Sequence, residues 1–375
     1  KQALNDLINH AQTKQQVAEI IAQSNKLNNE MGTLKTLVEE QTNVHQQSKY
    51  INEDSQVQNI YNDSIQKGRE ILNGTTDDVL NNNKIADAIQ NIHLTKNNLH
   101  GDQKLANDKT DAQATLNALN YLNQAQRGNL ETKVQNSNSR PEVQKVVQLA
   151  NQLNDAMKKL DDALTGNDAI KQTSNYINED TSQQVNFDEY TDRGKNIVAE
   201  QTNPNMSPTN INTIADKITE AKNDLHGVEK LQRDKGTANQ EIGQLGYLND
   251  PQKSAEESLV NGSNTRSEVE EHLNEAKSLN NAMKQLRDKV AEKTNVKQSS
   301  DYINDSTEHQ RGYDQALQEA ENIINEIGNP TLNKSEIEQK LQQLTDAQNA
   351  LQGSHLLEEA KNNAITEINK LTALN

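Results

Sequence analysis

The sequence predicts an all-α chain: tandem three-helix bundles in an elongated rod, consecutive bundles linked by long shared helices. Three observations predict it. The chain repeats itself without a gap every 126 residues: Tyr-Ile-Asn begins at Tyr50, Tyr176 and Tyr302, and Met31, Met157 and Met283 keep the same interval. Apolar residues recur in steps of three and four, which is one stripe of an α-helix. Apolar material is scarce, at 31% of residues, with 2% aromatic, one Phe, no Trp and a mean hydropathy of −1.00. A globule of this length would bury about three quarters of its unfolded surface, and this composition cannot fill it. A disordered chain would not hold register either, because nothing would penalise a slipped residue.

The longest stripe runs Val143, Val147, Ala150, Leu153, Met157, Leu160, Leu164. Its counterparts are Val17, Ile21, Ser24, Leu27, Met31, Leu34, Val38 and Val269, Leu273, Ala276, Leu279, Met283, Leu286, Val290. With no Pro after Pro141, this helix is expected to run on toward Tyr176 and bridge two bundles. Gly166 could end it, but Glu40 and Glu292 match that position, so glycine is not required there. A second helix follows Tyr-Ile-Asn, with Tyr61, Ile65, Gly68, Leu72 against Phe187, Thr191, Gly194, Val198 and Tyr313, Leu317, Ala320, Ile324. The small third residue predicts close helix packing. Asn81, Ser207 and Asn333 are N-caps for a third helix, with Pro208 at its first position and Glu336 three residues after Asn333. That helix steps by seven through Ile85, Ile92, Leu99 and their equivalents, and Gly101, Gly227 and Gly353 follow. A fourth stripe carries Leu105, Ala112, Leu116 and Leu119, and a short fifth helix carries Leu130 and Val134. No segment alternates in the manner of a strand.

These elements divide the chain into a partial bundle at 1–47, bundles at 48–101, 102–167, 168–227, 228–293 and 294–353, and a lone helix at 354–375. The beginning at Lys1 is not a signal peptide. Asn375 matches Asn123 and Lys1 matches Arg127, so the sequence reads as an interior fragment cut within a module. Its ends are complementary parts of one bundle, each with an apolar stripe, and head-to-tail self-association through them is expected.

Several function classes are excluded. A net charge of −17 repels nucleic acid. No apolar run is long enough to insert in a membrane. With no Cys there is neither a disulfide nor a thiolate metal site. His100 and His226 are equivalent, but the third copy has Gln352; His10, His45, His93, His272, His309 and His355 have no equivalents. These histidines are read as structural or solvated, and no metal or cofactor is expected. The pairs Glu39–Glu40, Asp77–Asp78, Asp161–Asp162 and Glu358–Glu359 are read as solvated helix faces, since catalytic carboxylates need a pocket that shifts their pKa. Asp108-Lys109-Thr110-Asp111 lacks the Gly and terminal Glu of an EF-hand, and Asp192-Arg193-Gly194 is not Arg-Gly-Asp. Asn73-Gly74-Thr75 matches a glycosylation pattern of the kind that arises by chance. Tyr50, Tyr176 and Tyr302 fit a place at the bundle junction better than one as binding anchors. No catalytic, cofactor, metal or ligand residue can be assigned, and the chain is expected not to be an enzyme.

The Tyr-Ile-Asn helix, the aromatic-x-x-x-Ile/Thr/Leu-x-x-Gly/Ala helix and the closing Leu-His-Gly resemble a FIVAR domain. The stretch from Leu116 to Leu164 resembles a GA-type bundle. Their alternation is similar to the repeat region of the giant staphylococcal matrix-binding surface proteins. That resemblance implies a cell-wall-anchored adhesin with a matrix protein such as fibronectin as partner, or a structural spacer with a role in envelope integrity. Albumin-binding GA modules carry aromatic residues on their second helix. Gly128-Asn129-Leu130-Glu131-Thr132-Lys133-Val134 has none, which argues against albumin.

Overall fold

A computed structural model describes residues 1–74 and 82–373 of the chain. Thr75, the Asp77–Asp78 pair, the expected cap Asn81 and the terminal Leu374–Asn375 lie outside the described residues. Among the described residues the regular structure is helical, with no strand. The first stretch holds α1 (Gln2–Asn9), α2 (Lys14–Glu39), α3 (Gln41–His45), α4 (Ser48–Ile51), α5 (Ser55–Leu72) and α6 (Asn82–Asn97). Then come α7 (Gly101–Ala118), α8 (Gln124–Asn136), α9 (Arg140–Leu164), α10 (Asn167–Ile170), α11 (Ser174–Ile177), α12 (Thr181–Ala199) and α13 (Pro208–Asn223). The last repeat holds α14 (Gly227–Gly243), α15 (Asp250–Gly262), α16 (Arg266–Ala291), α17 (Lys293–Gln298), α18 (Ser300–Ile303), α19 (Thr307–Asn325), α20 (Lys334–Asn349) and α21 (Gly353–Asn369).

The helices form two units. The first comprises Lys1–Thr165 with Tyr190–Thr219. In it, α2, α5 and α6 close on Leu34, Val38, Tyr61, Ile65, Ile85 and Ile92. A second core gathers Leu116, Leu130, Val134, Val143 and Ala150 from α7, α8 and the first half of α9. It continues along α9 through Leu153, Met157 and Leu160 to Ile211, Ala215 and Ile218 of α13. One helix therefore serves two bundles, as the uninterrupted stripe requires. The second unit comprises Gly166–Glu189 with Glu220–Asn375. Here α16 plays the same part: Val269 and Ala276 pack with Ala238, Ile242 and Val260, while Leu279, Met283 and Leu286 pack with Tyr313, Leu317, Ile337 and Leu344. A buried Leu or Ile contributes about 1.5–3 kcal/mol. The cluster containing Ala238 and Ala276 is thus a weak core.

The long helix does not run on to Tyr176 as the stripe suggested. It ends at Glu39, Leu164 and Ala291 in the three copies, although only the second has a left-handed glycine there, Gly166 at φ 79°. Register explains the break in the first and third copies, and Gly166 makes it in the second. The last stripe residues, Val38 and Val290, are followed by buried Val44 and Val296 six positions later. Six residues are about 1.7 helical turns, so a straight helix would aim them away from the core. A kink returns them.

Caps fix where helices begin. Thr13, Ser139 and Thr265 accept the amide protons of Gln16, Glu142 and Glu268 at 3.1, 3.4 and 3.2 Å. Asn123 and Asn249 accept those of Gln126 and Gln252 at 2.8 and 2.9 Å. Such a cap contributes about 1 kcal/mol. Of the caps expected for the third helix, Ser207 accepts from Asn210 at 3.3 Å and Asn333 from Ser335 at 3.0 Å.

Candidate functional site

Chemistry-bearing residues converge at the joints between bundles, and the first joint is built around a buried carboxylate. The Glu53 side chain is 1% exposed. It accepts the backbone N–H of Asp54 at 2.8 Å and that of His100, and it pairs with the Lys104 ammonium. Lys104 also meets Asp54, which pairs with Arg140 at 2.8 Å, and Arg140 reaches Asp108 at 2.8 Å. Burial is the largest influence on Glu53 and would raise its pKa. Lys104 and the two amides together outweigh it and hold the carboxyl below its ordinary 4.5. Asn52, 2% exposed, donates to the Asn138 carbonyl at 3.2 Å and accepts the Arg140 amide at 3.0 Å. It thereby pins the turn between α8 and α9 to the end of α4.

The second unit repeats this atom for atom. Glu179 takes the Asp180 and His226 amides and the Lys230 ammonium, and Arg266 bridges Asp180 and Asp234 at 2.8 and 2.6 Å. Asn178 donates to Asn264 at 3.0 Å and accepts from Arg266 at 2.9 Å. In the third copy Asp305 takes the amides of Ser306 and Gln352 and pairs with His309 at 3.0 Å, and Leu356 stands at the lysine position.

A further link uses the start of each fifth helix. Asn123 and Gln126 donate to the carbonyls of Ile197 and Asn205 at 3.0 and 2.8 Å. Asn249 and Gln252 do the same to Ile323 and Thr331 at 3.4 and 2.8 Å. The cap residues thus hold the last turn of α12 or α19 and the loop after it, as well as their own helix. Sequence reading missed both links. The signal of the first was the recurrence of Asn-Glu-Asp at 52–54 and 178–180, with Lys and Arg at matching offsets, and that of the second was the recurrence of Asn-x-x-Gln at 123–126 and 249–252.

The three tyrosines lie beside these joints. Tyr176 and Tyr302 donate to Asp188 and Asp314 at 2.8 and 2.9 Å, while Tyr50 accepts from Asn62 at 2.9 Å. Each ring meets Tyr61, Phe187 or Tyr313 edge-on, with centroids 5.9–6.1 Å apart. The other singled-out residues are scattered. His45 stacks on Tyr50 at 4.1 Å, and His272 contacts Glu275 at 3.2 Å. Glu40 pairs with Lys96, Asp162 with Lys158 and Glu358 with Lys361. Among the described residues no three such side chains gather as a metal site would require, and no helix is long and apolar enough to cross a membrane.

One exposed aromatic is presented identically in both units. Tyr121 and Tyr247 are 39% and 37% exposed. Asn154 and Asn280 hold their backbones at 3.1 and 3.0 Å, and the Lys158 and Lys284 ammoniums lie 5.7 and 5.5 Å from the rings. Ile51, Ile177 and Ile303 are likewise 49–60% exposed in every copy.

Bundles joined by shared helices, with one joint reused in successive copies, define a tandem helical repeat protein of two alternating module types. The chain matches the FIVAR domain over 30–100, 156–226 and 282–352, and the GA module over 1–30, 102–156, 228–282 and 354–375. It belongs to the FIVAR-domain family, with GA modules alternating. It is similar along its whole length, at 38% identity, to the extracellular matrix-binding protein ebh of Staphylococcus aureus strain NCTC 8325 and to EbhA of strain N315, and it spans only 4% and 6% of their lengths. The crystal structure of EbhA residues 756–1003 from S. aureus overlays 66% of this chain and 98% of its own, with a TM-score of 0.60 at 27% identity.

Proposed function

We propose that this chain is part of the stalk of a bacterial cell-surface adhesin, anchored through other segments, and that its repeated surface contacts an extracellular-matrix protein of the fibronectin kind. The observation that carries the reading is Tyr121 and Tyr247, each held half-exposed on a pinned loop in the same setting. Exposed tyrosine supplies large contact area at little entropic cost, and a repeated weak contact gains from multivalency. The names of the relatives support the choice of matrix protein. Immobilised fibronectin is expected to capture the full chain, and the Tyr121→Ala, Tyr247→Ala double variant to bind about tenfold more weakly. Absence of capture at any salt concentration would leave the competing reading, a structural spacer of the cell envelope. The near-identity of the first two joints, beside surfaces that drift between copies, favours that alternative.

The apolar ends support a further contact. Ile8 and Ile21 on α1 and α2, Ile368 on α21 and Leu371 just after it are 36–57% exposed. In register they correspond to Val134, Val147, Leu116 and Leu119, which pack together inside 102–156. We propose that α21 of one copy docks on α1–α2 of another and completes a GA-like bundle. Sedimentation is expected to show concentration-dependent association, reduced by Ile368→Asp; a monomer throughout the millimolar range rules the contact out.

A further inference from the structure

One buried carboxyl group lies outside both joints. Glu256, on α15, is 3% exposed, and its Oε2 has no hydrogen-bond partner among the described residues. In the 126-residue register it stands where α8 has Leu130 and α1 has Leu4. Leu130 is fully buried at the centre of its bundle. Glu256 therefore occupies the core position of the weaker bundle, whose apolar cluster is Ala238, Ile242, Val260, Val269 and Ala276.

Both helices packed against α15 contribute polar groups. From α16 come Glu275 and His272, 3.2 Å apart. From α14 come Lys235, which donates to the Asn261 carbonyl at 2.8 Å, and Asn239, which donates to Asn261 Oδ1 at 2.8 Å. Glu241 of α14 is paired with Lys277 at 2.6 Å, and Lys253 of α15 itself donates to the Gly243 carbonyl at 3.1 Å. No cation among these pairs with Glu256. A neutral carboxyl group is tolerable in such a site; a charged one is costly.

We propose that the bundle of α14, α15 and the first half of α16 is a pH-sensitive link in the repeat, closed while Glu256 is protonated and loosened once it ionises. Burial is the main influence on this carboxyl and pushes it up to about 7; the charge of Glu275 adds to the rise and His272 opposes it. The sign follows. The open bundle releases the proton near 4.5 and the closed one near 7, so between those values the closed state holds the extra proton. Closure weakens as pH rises through that window and levels off above it. The sister bundle of α7, α8 and α9 has Leu130 and lacks this response, which provides an internal control.

The test is hydrogen exchange across the full chain at pH 5 and pH 8. The opening equilibrium of α15, measured relative to α8, is expected to rise roughly 70-fold, each pK unit being a factor of ten. Glu256→Leu, which restores the sister sequence, and Glu256→Gln, which keeps the polar shape without the charge, should each flatten the response. Glu275→Gln should shift its midpoint down. An unchanged ratio of α15 to α8 opening overturns the proposal, as does a pH response that persists in both Glu256 variants or a Glu256 carboxyl that titrates near 4.5 by NMR.

Discussion

Gly101→Ala is expected to destabilise the first unit by about 3 kcal/mol, the upper part of the range for over-packing, while Gly68→Ala should change it by less than about 1 kcal/mol. A methyl group at Gly101 would sit 2.5 Å from Glu53 N, 2.6 Å from Asn52 C and 2.6 Å from the Lys49 carbonyl oxygen. All three are backbone atoms of the α4 joint and cannot turn aside. Gly227 and Gly353 are placed the same way, with carbonyl oxygens 2.5 and 2.3 Å away. Neither they nor Gly101 has positive φ, so close approach, not backbone freedom, demands glycine at all three. Gly68 is different. Its nearest contacts are the ends of Val38, Ile92 and Leu34 at 3.0–3.2 Å, and the third copy has Ala320, fully buried, in its place. Alanine would also gain up to about 1 kcal/mol of helix propensity there. Thermal unfolding of the two variants separates these cases. Gly101→Ala should lower the midpoint by roughly 6–12 °C; equal effects would mean that the joint yields and that α7 is not locked against α4.

How much of this was legible beforehand follows from what each feature leaves in one dimension. The helix stripes and the shared long helix leave period and register, and the sequence showed both. The break after Val38 was also present, as a six-residue step to Val44, but it reads as a flaw in the pattern until the core shows why the chain bends. The joints were less visible because their partners are far apart in sequence. Glu53 finds Lys104 and Asn52 finds Arg140, 51 and 88 residues away, and each residue alone looks like part of a solvated face. The carboxylate pairs singled out from sequence were adjacent ones, such as Glu39–Glu40, and those among the described residues are exposed or simply paired. Glu256 left a clear trace, since the register sets it against Leu130 and Leu4. Reading the repeat for what it conserves, and not for what it breaks, passed over it.

The two kinds of buried carboxyl group respond to acid in opposite directions, which makes the joint testable apart from the bundle. Glu53 is held below 4.5, so its contribution is complete above that value and is lost as pH falls through its lowered pKa. Lys104→Met keeps most of the side-chain stem but leaves Glu53 buried with only two amide donors. Breaking a buried pair in this way costs about 3 kcal/mol, at the low end of the usual range because those donors remain. Burial, already the largest influence on Glu53, is then less opposed, and the carboxyl shifts upward. The stability gap between the variant and the parent chain should therefore narrow as the pH is lowered, because the stranded carboxyl takes up its proton at a higher pH than the paired one. The first unit is the place to measure it, because its sister core position holds Leu130 and adds no titration of its own. Adding Glu53→Gln to Lys104→Met removes the stranded charge and should recover about half of the loss, since replacing both partners is far milder than removing one. Denaturant unfolding at pH 4.5, 6 and 7.5 reads all three chains. A loss below 0.5 kcal/mol in Lys104→Met would show that the ammonium behaves as a surface charge, and no recovery in the double variant would show that the cost was packing and not charge.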